Sequence, residues 1–221
     1  MKYIVFDLEF TVVRFVQRPC EIIEFGAIEL RQAENGDLRM TDLFHSYVRP
    51  SVYPVLSSET VKFTGVTQHN VDQAPCFSEA LTLFKEWLGQ EETYYLCAWS
   101  GDDKQQLIRQ CRAEDLDLSW LRNYNDIQHP ISLMHNQGMY RRIGLTQALE
   151  LQGLTYCGRP HTALDDAFNT ARLFERNFSK LTLEHNNAAE EPLYSSRLVY
   201  STGTEANLPF SQLAHLLGQA I

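Results

Sequence analysis

The chain has 221 residues, of which 44% are hydrophobic and 21% charged, and its formal net charge is −9. This composition is typical of an ordinary globular protein and excludes disordered and collagen-like chains. The acidic balance also argues against a protein that coats nucleic acid non-specifically, because that affinity comes from Lys and Arg neutralising phosphates, but it does not exclude an enzyme that engages one strand end. The sequence shows neither an apolar run of the roughly 20 residues that span a bilayer nor a signal-peptide pattern. We therefore expect a cytoplasmic protein with no membrane partner.

Three strands are predicted within the first 50 residues. The apolar segment YIVFDLEFTV at 3–12 is followed at short spacing by EIIEFGAIELR at 21–31 and DLFHSYVRP at 42–50. The polar segment ENGD at 34–37 carries the Asn-Gly pair that is typical of tight turns. We expect these strands to form an antiparallel three-stranded meander.

Helices and strands alternate through the next part of the chain. A short helix is predicted to begin at Ser57 or Ser58, as a capping residue, and to end near Gly65. The remaining predicted elements are a helix at 77–89, a strand at 93–99, a helix at 103–112, a strand at 123–127, and helices at 143–153 and 162–178. An antiparallel layer followed by alternating strands and helices predicts an α/β fold, with a mixed sheet flanked by helices.

The pattern weakens from about Ser179 onward. The segment at 184–196 is polar and breaks the periodicity, which is typical of a linker or surface excursion, and the segment at 210–221 could form a terminal helix. We therefore predict one domain over 1–178 and a C-terminal extension over 179–221.

Two carboxylates interrupt the first apolar strand. Asp7 and Glu9 lie two residues apart, so both side chains point to the same face of the strand. Two anions side by side in a core strand repel each other and lose hydration. Either a positive partner holds them there, or the end of the strand opens into a cleft.

Two further acidic clusters lie at predicted helix starts. Asp102 and Asp103 directly follow a buried strand, where an α/β sheet usually presents its ligand groups. His161 precedes a helix whose first turn carries Asp165 and Asp166. Each cluster alone is compatible with plain helix capping, since carboxylates are favoured at helix N-termini. The three clusters together favour a shared site.

The spacing of these clusters resembles that of the DEDDh 3′-5′ exonucleases. FDLEFT at 6–11 is similar to the D-x-E-F-T opening of the subgroup that contains KapD and the histone-mRNA and siRNA exonucleases. The segment at 66–88 is similar to the subgroup's I-T-x-x-x-V-x-x-A-P-x-F-x-x-x-L pattern, and 144–174 matches its last motif almost residue for residue. The resemblance covers roughly 2–178 and implies an RNase H-like sheet, with an antiparallel meander plus parallel strands.

The resemblance also implies the roles of individual residues. Asp7, Glu9, Asp103 and Asp166 match the family's metal ligands, and His161 matches its catalytic histidine. A histidine is suited to take a proton from water at neutral pH. Two divalent cations, Mg²⁺ or Mn²⁺, would suit this set of carboxylates and would explain why two anions share one strand face.

The chain departs from the family pattern beside the second motif. Ser100 stands where the family usually has Gly, and Asp102 stands where it often has an aromatic residue. The extra carboxylate leaves open whether Asp102 assists or replaces Asp103 as a metal ligand. It also removes a base-stacking partner.

Substrate contacts are less determined by the sequence. The resemblance makes Phe10 and Thr11 candidates for contacting the 3′ end, although Phe10 could equally be a core residue. Arg141 and Arg142 could contact a single strand, or they could be a solvated pair.

The function implied is a metal-dependent 3′-5′ exonuclease that acts on the 3′ end of single-stranded RNA or DNA, with RNA favoured, and releases nucleoside 5′-monophosphates. The alternatives are a DNA proofreading-type exonuclease and a regulatory or binding module that keeps the fold.

Overall fold

The computed structural model describes residues 1–13, 19–89 and 93–190. Within these residues, five strands form one mixed sheet with the order β3-β2-β1-β4-β5. The strands are β1 (Lys2–Phe10), β2 (Ile22–Gln32), β3 (Leu38–Tyr47), β4 (Tyr94–Ala98) and β5 (Tyr124–Asp126). The first three strands pair antiparallel, whereas β1 pairs parallel with β4, and β4 with β5. The predicted α/β fold, with an antiparallel meander plus parallel strands, is confirmed.

Seven α-helices accompany the sheet in the described residues. They are α1 (Ser58–Thr64), α2 (Gln68–Asp72), α3 (Phe77–Leu88), α4 (Asp102–Ala113), α5 (Gln128–His135), α6 (Leu145–Leu151) and α7 (Ala163–Asn177), and α7 runs into a 3₁₀ turn at Phe178–Lys180. As predicted, the Ser57 hydroxyl caps α1 by accepting the N–H of Thr60, and α1 ends at Gly65 in the left-handed conformation. None of the helices within the described ranges is long and apolar enough to cross a membrane.

Two helices, α2 and α5, were not predicted from the sequence. Helix α2 has only five residues, too few to show a periodic pattern. Helix α5 contains Pro130 in its first turn. Proline is tolerated there because the N–H that it lacks would have no partner within the helix. The segment is nonetheless short and contains a proline, so its periodicity does not predict a helix.

The alternation of side chains along β1 sets the two faces of the sheet. Tyr3 and Val5 belong to the cluster that packs against α7, and the Tyr3 ring lies 5.6 Å from the ring of Phe174. Phe6 points to the opposite face, where its ring lies 6.3 Å from that of Phe84 in α3. Because side chains alternate, Asp7 continues the row that faces α7.

Helix α7 approaches the sheet closely at its first residue. Gly26 in β2 pairs with Asp7 in β1, and a Cβ atom added to Gly26 would collide with the backbone of Ala163 and Leu164. Only glycine leaves room for this approach. The absence of a side chain on β2 therefore lets the start of α7 lie directly beside Asp7.

A compact unit extends through Met1–Ala189, and a second unit comprises Glu190–Ile221. In the segment predicted as a linker, Asn186 exchanges two hydrogen bonds of 2.8 and 2.7 Å with the backbone of Tyr124 in β5. This stretch therefore packs along the edge of the sheet. The domain boundary at residue 178 stays a prediction, and the helix predicted at 210–221 lies outside the described residues.

Candidate active site

The candidate site lies at the end of β1, where the chain brings three of the five predicted side chains into mutual contact range. Glu9 in β1, His161 before α7 and Asp166 in its first turn each offer one ligand atom, and these atoms all lie within 4.8 Å of one another. Glu9 is buried and Asp166 is half-buried, whereas His161 is exposed. The cluster therefore opens to solvent on the side of His161.

Helix α4 adds a further carboxylate from the neighbouring strand. Strand β4 runs parallel to β1, so α4 begins at the same edge of the sheet at which β1 ends. Asp103 is only 5% exposed, and its Oδ1 atom accepts the N–H of Leu8 at 3.1 Å. This bond fixes Asp103 against β1 between Asp7 and Glu9.

The adjacent Asp102 has different surroundings. Its Oδ2 atom lies 2.7 Å from Nη2 of Arg142, and both side chains are more than half exposed. Asp102 is therefore occupied by a surface ion pair, while Asp103 faces the other carboxylates. This geometry favours Asp103 as the ligand in the choice that the sequence leaves open.

The clustered carboxylates, which are buried or half-buried, destabilise one another's charged forms. Burial, followed by repulsion from Asp103, Asp166, Glu9 and Glu24, raises the pKa of Asp7 well above its usual range. Burial and the neighbouring carboxylates likewise raise the pKa of Glu9 to about 8. Burial is also the main cause that raises the pKa of Asp103 to about 7 and that of Asp166 above its usual value. Such a cluster needs positive charge to be fully ionised at neutral pH.

The donor set fits hard divalent cations. Carboxylate oxygens are the ligands that Mg²⁺ and Mn²⁺ prefer, and a cation would offset the mutual repulsion of the buried carboxylates. The raised pKa values indicate that the cluster lacks positive charge. A bound divalent cation would supply that charge, and the carboxylates would be its ligands.

His161 is held in an unusual backbone conformation. Its φ angle of 64° lies in the left-handed region, which few residues other than glycine adopt. Its N–H donates to Oδ2 of Asp166 at 3.0 Å, and its ring stacks on Phe63 of α1, with centroids 4.1 Å apart. Strained conformations of this kind persist where the surroundings hold them, and they concentrate at functional sites.

A buried carboxylate that the sequence analysis missed supports the start of α7. Glu24 in β2 pairs with Glu9 across the sheet and is 1% exposed. Its Oε2 atom accepts the N–H of Ala163 at 3.2 Å, and its Oε1 atom lies 2.8 Å from Nε2 of His45. The signal was present, since Glu24 interrupts an apolar strand just as Asp7 does.

Two further side chains reach the cluster from the loop before α7. The Tyr156 hydroxyl donates to Oδ1 of Asp166 at 2.5 Å. The positive charge of Arg159 lowers the pKa of Glu9, which partly opposes the effect of burial, and its guanidinium packs over Gly65. Nothing in the sequence pattern pairs these residues with the carboxylates, because their contacts depend on the path of the loop.

The predicted substrate residues lie just beyond the cluster. Phe10 is half-buried at the end of β1. Thr11 is buried, its hydroxyl accepts the N–H of Glu21 at 2.9 Å, and it lines a pocket together with Val12 and Thr60. Contact of Phe10 and Thr11 with a substrate stays a prediction.

Comparisons with known proteins agree with this arrangement. A family model described as "Exonuclease" matches residues 4–174. The 3′-5′ exoribonuclease 1 of Mus musculus is 35% identical over 167 residues, which cover 71% of this chain and 46% of that protein. The ERI1 exoribonuclease 2 of Danio rerio is 34% identical over 177 residues, which cover 71% of this chain and 31% of that protein. The chain thus spans less than half the length of these relatives.

A solved structure with the same fold also matches most of the chain. The nuclease domain of 3′hExo, a DEDDh family member bound to rAMP, superposes with a TM-score of 0.74 and 28% sequence identity. The match covers 84% of this chain and 96% of that domain.

Proposed function

The chain belongs to the exonuclease family, and from this premise we propose that it removes nucleotides one at a time from the 3′ end of single-stranded RNA. The observation that carries the proposal is that one ligand atom each of Glu9, His161 and Asp166 lie within 4.8 Å of one another at the end of β1, where Asp103 is bound to the N–H of Leu8 and Asp7 is the next acidic residue of the strand. Hydrolysis would break the bond between phosphorus and the 3′ oxygen. The products would be a nucleoside 5′-monophosphate and a strand shortened by one nucleotide.

Exonucleases of the DEDDh type use divalent metal ions, and here we propose two cations, Mg²⁺ or Mn²⁺, held by the four carboxylates. When bound, the cations would activate water for attack and stabilise the leaving 3′ oxygen. Asp103 is the ligand from α4 in this proposal, because Asp102 is paired with Arg142.

His161 would act as the general base. Its ring nitrogen lies within 4.8 Å of the oxygens of Glu9 and Asp166, so it faces the place where water would attack. The bond from its N–H to Asp166 and the stack on Phe63 would hold the imidazole in position to take the proton from that water. Because His161 is exposed, the proton could then pass to solvent.

The surrounding residues would position this machinery. Glu24 fixes the first N–H of α7, and Tyr156 fixes one oxygen of Asp166. Together these bonds set the distance between α7 and β1, which determines how far Asp166 lies from Glu9. Positioned side chains of this kind commonly change metal affinity or activity tenfold to a hundredfold when they are removed.

RNA as the substrate is supported by the relatives, two of which carry the name exoribonuclease, and by the rAMP bound to the similar nuclease domain. A DNA proofreading-type exonuclease and a regulatory module that keeps the fold are the competing functions. The cytoplasmic location expected from the sequence stays a prediction.

The proposal is tested with purified protein and labelled single-stranded RNA and DNA of equal sequence, in Mg²⁺, Mn²⁺ or EDTA. We expect stepwise, metal-dependent loss from the 3′ end, faster on RNA than on DNA. Asp7→Asn and His161→Ala should each reduce the rate by at least about a hundredfold. Arg176→Ala, an exposed residue at the far end of α7, is the matched control and should keep the wild-type rate.

Two results would contradict the proposal. If the folded protein degrades neither strand with either metal, the regulatory module becomes the better explanation. If it degrades DNA faster than RNA, the proofreading-type exonuclease is favoured.

A further inference from the structure

The loop between α5 and α6 exposes aromatic and basic side chains beside the carboxylate cluster. It carries Met139, Tyr140, Arg141 and Arg142 in succession, and we call these four residues the 139–142 loop. Met139 is 74% exposed and Tyr140 is 52% exposed. Adjacent large apolar side chains left in water point to a contact surface more often than scattered ones do.

An ion pair joins this loop to the start of α4. Nη2 of Arg142 lies 2.7 Å from Oδ2 of Asp102, the residue directly before the buried Asp103. Nε of Arg142 also donates to Oε1 of Gln128 at 2.6 Å, and the amide of Gln128 donates to the carbonyl of Ile143 at 2.7 Å. The base of the loop is therefore fixed next to the helix that carries one of the site's carboxylates.

The two arginines of the loop have different surroundings. Arg142 is occupied by Asp102 and Gln128. Arg141 is exposed, and in the described part of the chain no carboxylate lies within ion-pair distance of its guanidinium. Its backbone carbonyl is held by the side-chain amide of Asn136 at 2.8 Å. Among the residues that the structure describes, Arg141 thus presents a cation without a carboxylate partner, on a backbone that is held by Asn136.

Tyr140 presents a supported aromatic ring. The ring packs against that of His129 in α5 in a tilted arrangement, with centroids 4.6 Å apart and planes inclined by 36°. One face of the tyrosine ring is therefore supported by the protein while half of the side chain remains in water. A ring held in this way loses little conformational freedom when a flat partner stacks on it.

We propose that the 139–142 loop binds the single strand upstream of the nucleotide being removed, with Tyr140 stacking on a base and Arg141 contacting a phosphate. The inference rests on the proposed function, and it adds a strand-binding site outside the carboxylate cluster. Aromatic rings and local positive charge are the two features with which proteins grip single strands. On a chain with a net charge of −9, this local site can attract a strand that the overall charge repels.

The test compares a long strand with a probe that has no upstream nucleotides. Binding of a fluorescently labelled 20-nucleotide RNA is measured by anisotropy in Ca²⁺, with a gel to verify that the strand stays intact. The short probe is the p-nitrophenyl ester of a nucleoside 5′-monophosphate, whose hydrolysis in Mn²⁺ reports on the carboxylate cluster alone. The variants are Tyr140→Ala, Tyr140→Phe and Arg141→Ala, with Arg176→Ala as the control.

Tyr140→Ala should raise the Kd for the 20-nucleotide RNA by about fivefold or more, which is the lower limit for a stacked base. Tyr140→Phe keeps the ring and should stay within about twofold of wild type. Arg141→Ala should weaken binding and lower the slope of log Kd against log salt by about 0.7, the value for one phosphate contact to a single strand. Arg176→Ala should change neither quantity, since Arg176 lies ten residues, or about 15 Å along α7, from Asp166.

Several results would overturn the inference. Wild-type affinity in both alanine variants would show that the loop does not touch the strand, and so would the absence of RNA binding by the wild-type protein. Equal losses on the RNA and on the ester would show that the loop supports the carboxylate cluster instead. If the wild-type protein binds RNA through Tyr140 and Arg141 but hydrolyses neither the RNA nor the ester in Mn²⁺, the proposed function fails, while binding of a single strand by the loop stands.

Discussion

Two helices of the described residues carry a pair of consecutive aspartates in their first turn, and in each pair the two side chains have different surroundings. In α4, Asp102 forms an exposed ion pair while Asp103 is buried beside β1. In α7, Asp165 accepts the N–H of Arg159 at 2.8 Å while Asp166 joins Glu9 and His161. In both pairs the first aspartate binds a partner outside the carboxylate cluster and the second faces the cluster.

The pairs occupy different positions in their helices, so position within the first turn does not decide which aspartate enters the site. Asp103 is the second residue of α4, whereas Asp166 is the fourth residue of α7. What the two share is that each side chain is turned towards the end of β1. The comparison teaches that the helix dipole favours all four aspartates, and that only contact with the end of β1 distinguishes the candidate ligands from the other two.

The largest expected effect separates the two aspartates of α4. Asp103→Asn should lower kcat/KM on single-stranded RNA by at least about a hundredfold, because it removes a buried carboxylate from the proposed metal site. Asp102→Asn should lower it by less than about threefold, because that side chain faces solvent. Steady-state kinetics with both variants, with circular dichroism to verify folding, measures the difference. Equal losses would mean that the ion pair of Asp102 is itself part of the site.

The next effect concerns stability, pH and metal. The pKa values of Glu9 and Asp103 in the folded protein, about 8 and about 7, are raised above those of the unfolded chain. A raised pKa means that the folded state holds the proton more tightly, so this contribution to stability is present at low pH and is lost as pH rises through 7 and 8. In EDTA, the free energy of unfolding should therefore fall between about pH 5 and pH 8.

Saturating Mn²⁺ should remove this fall. A cation present at a hundred times its Kd stabilises by about 2.7 kcal/mol, which is about 5 to 10 °C in Tm for a domain of this size. Thermal melts across pH, with and without Mn²⁺, measure both effects. Glu9→Gln should reduce the pH dependence in EDTA, whereas Asp102→Asn should change it less, because Asp102 is exposed and only adds to the repulsion that raises the pKa of Asp103. An unchanged slope in Glu9→Gln would show that Glu9 is not one of its sources.

A smaller effect on stability should distinguish α7, which approaches the sheet closely, from α4, which does not. Gly26→Ala should destabilise the protein by about 1 to 3 kcal/mol and lower activity, since the added Cβ collides with the first residues of α7. Gly101→Ala makes the same change directly before α4. An added Cβ there has no atom within 4 Å apart from its chain neighbours, so stability should change by less than about 0.5 kcal/mol. Urea unfolding of both variants tests whether α7 alone depends on a close backbone approach, and similar values for the two would contradict this.

The sequence predicted those parts of the site that depend on local pattern. The spacing of Asp7 and Glu9 determines that both face the same way, and that holds in any strand. The motif around 144–174 likewise indicated His161 and Asp166. Even so, the choice between Asp102 and Asp103 remained open in the sequence, because it depends on which side chain meets the N–H of Leu8, a contact between distant segments.

The contacts of the supporting residues could not be predicted, although Glu24 itself stands out as a carboxylate in an apolar strand. Glu24 binds the start of α7 from 139 residues earlier in the chain, and Tyr156 reaches Asp166 through the path of the loop before α7. The ring contact between Phe63 and His161 joins α1 to the loop before α7, almost 100 residues later in the chain. Periodicity describes one element at a time, so it reports which face is buried and not which partner is met there.

The smallest expected effect is the contribution of the ion pair between Asp102 and Arg142 to stability. Because both side chains are more than half exposed, their coupling in a double-mutant cycle should be about 0.2 to 1 kcal/mol and should shrink in high salt. Urea unfolding of Asp102→Asn, Arg142→Gln and the double variant, at low and high salt, measures it. A coupling above about 2 kcal/mol would mean that the pair is as well shielded from water as Asp103, and the contrast within α4 would be lost. A weak coupling would mean that the pair orients the 139–142 loop while adding little to the stability of the fold. This is the expected difference between Asp102, at the rim of the site, and Asp103, inside it.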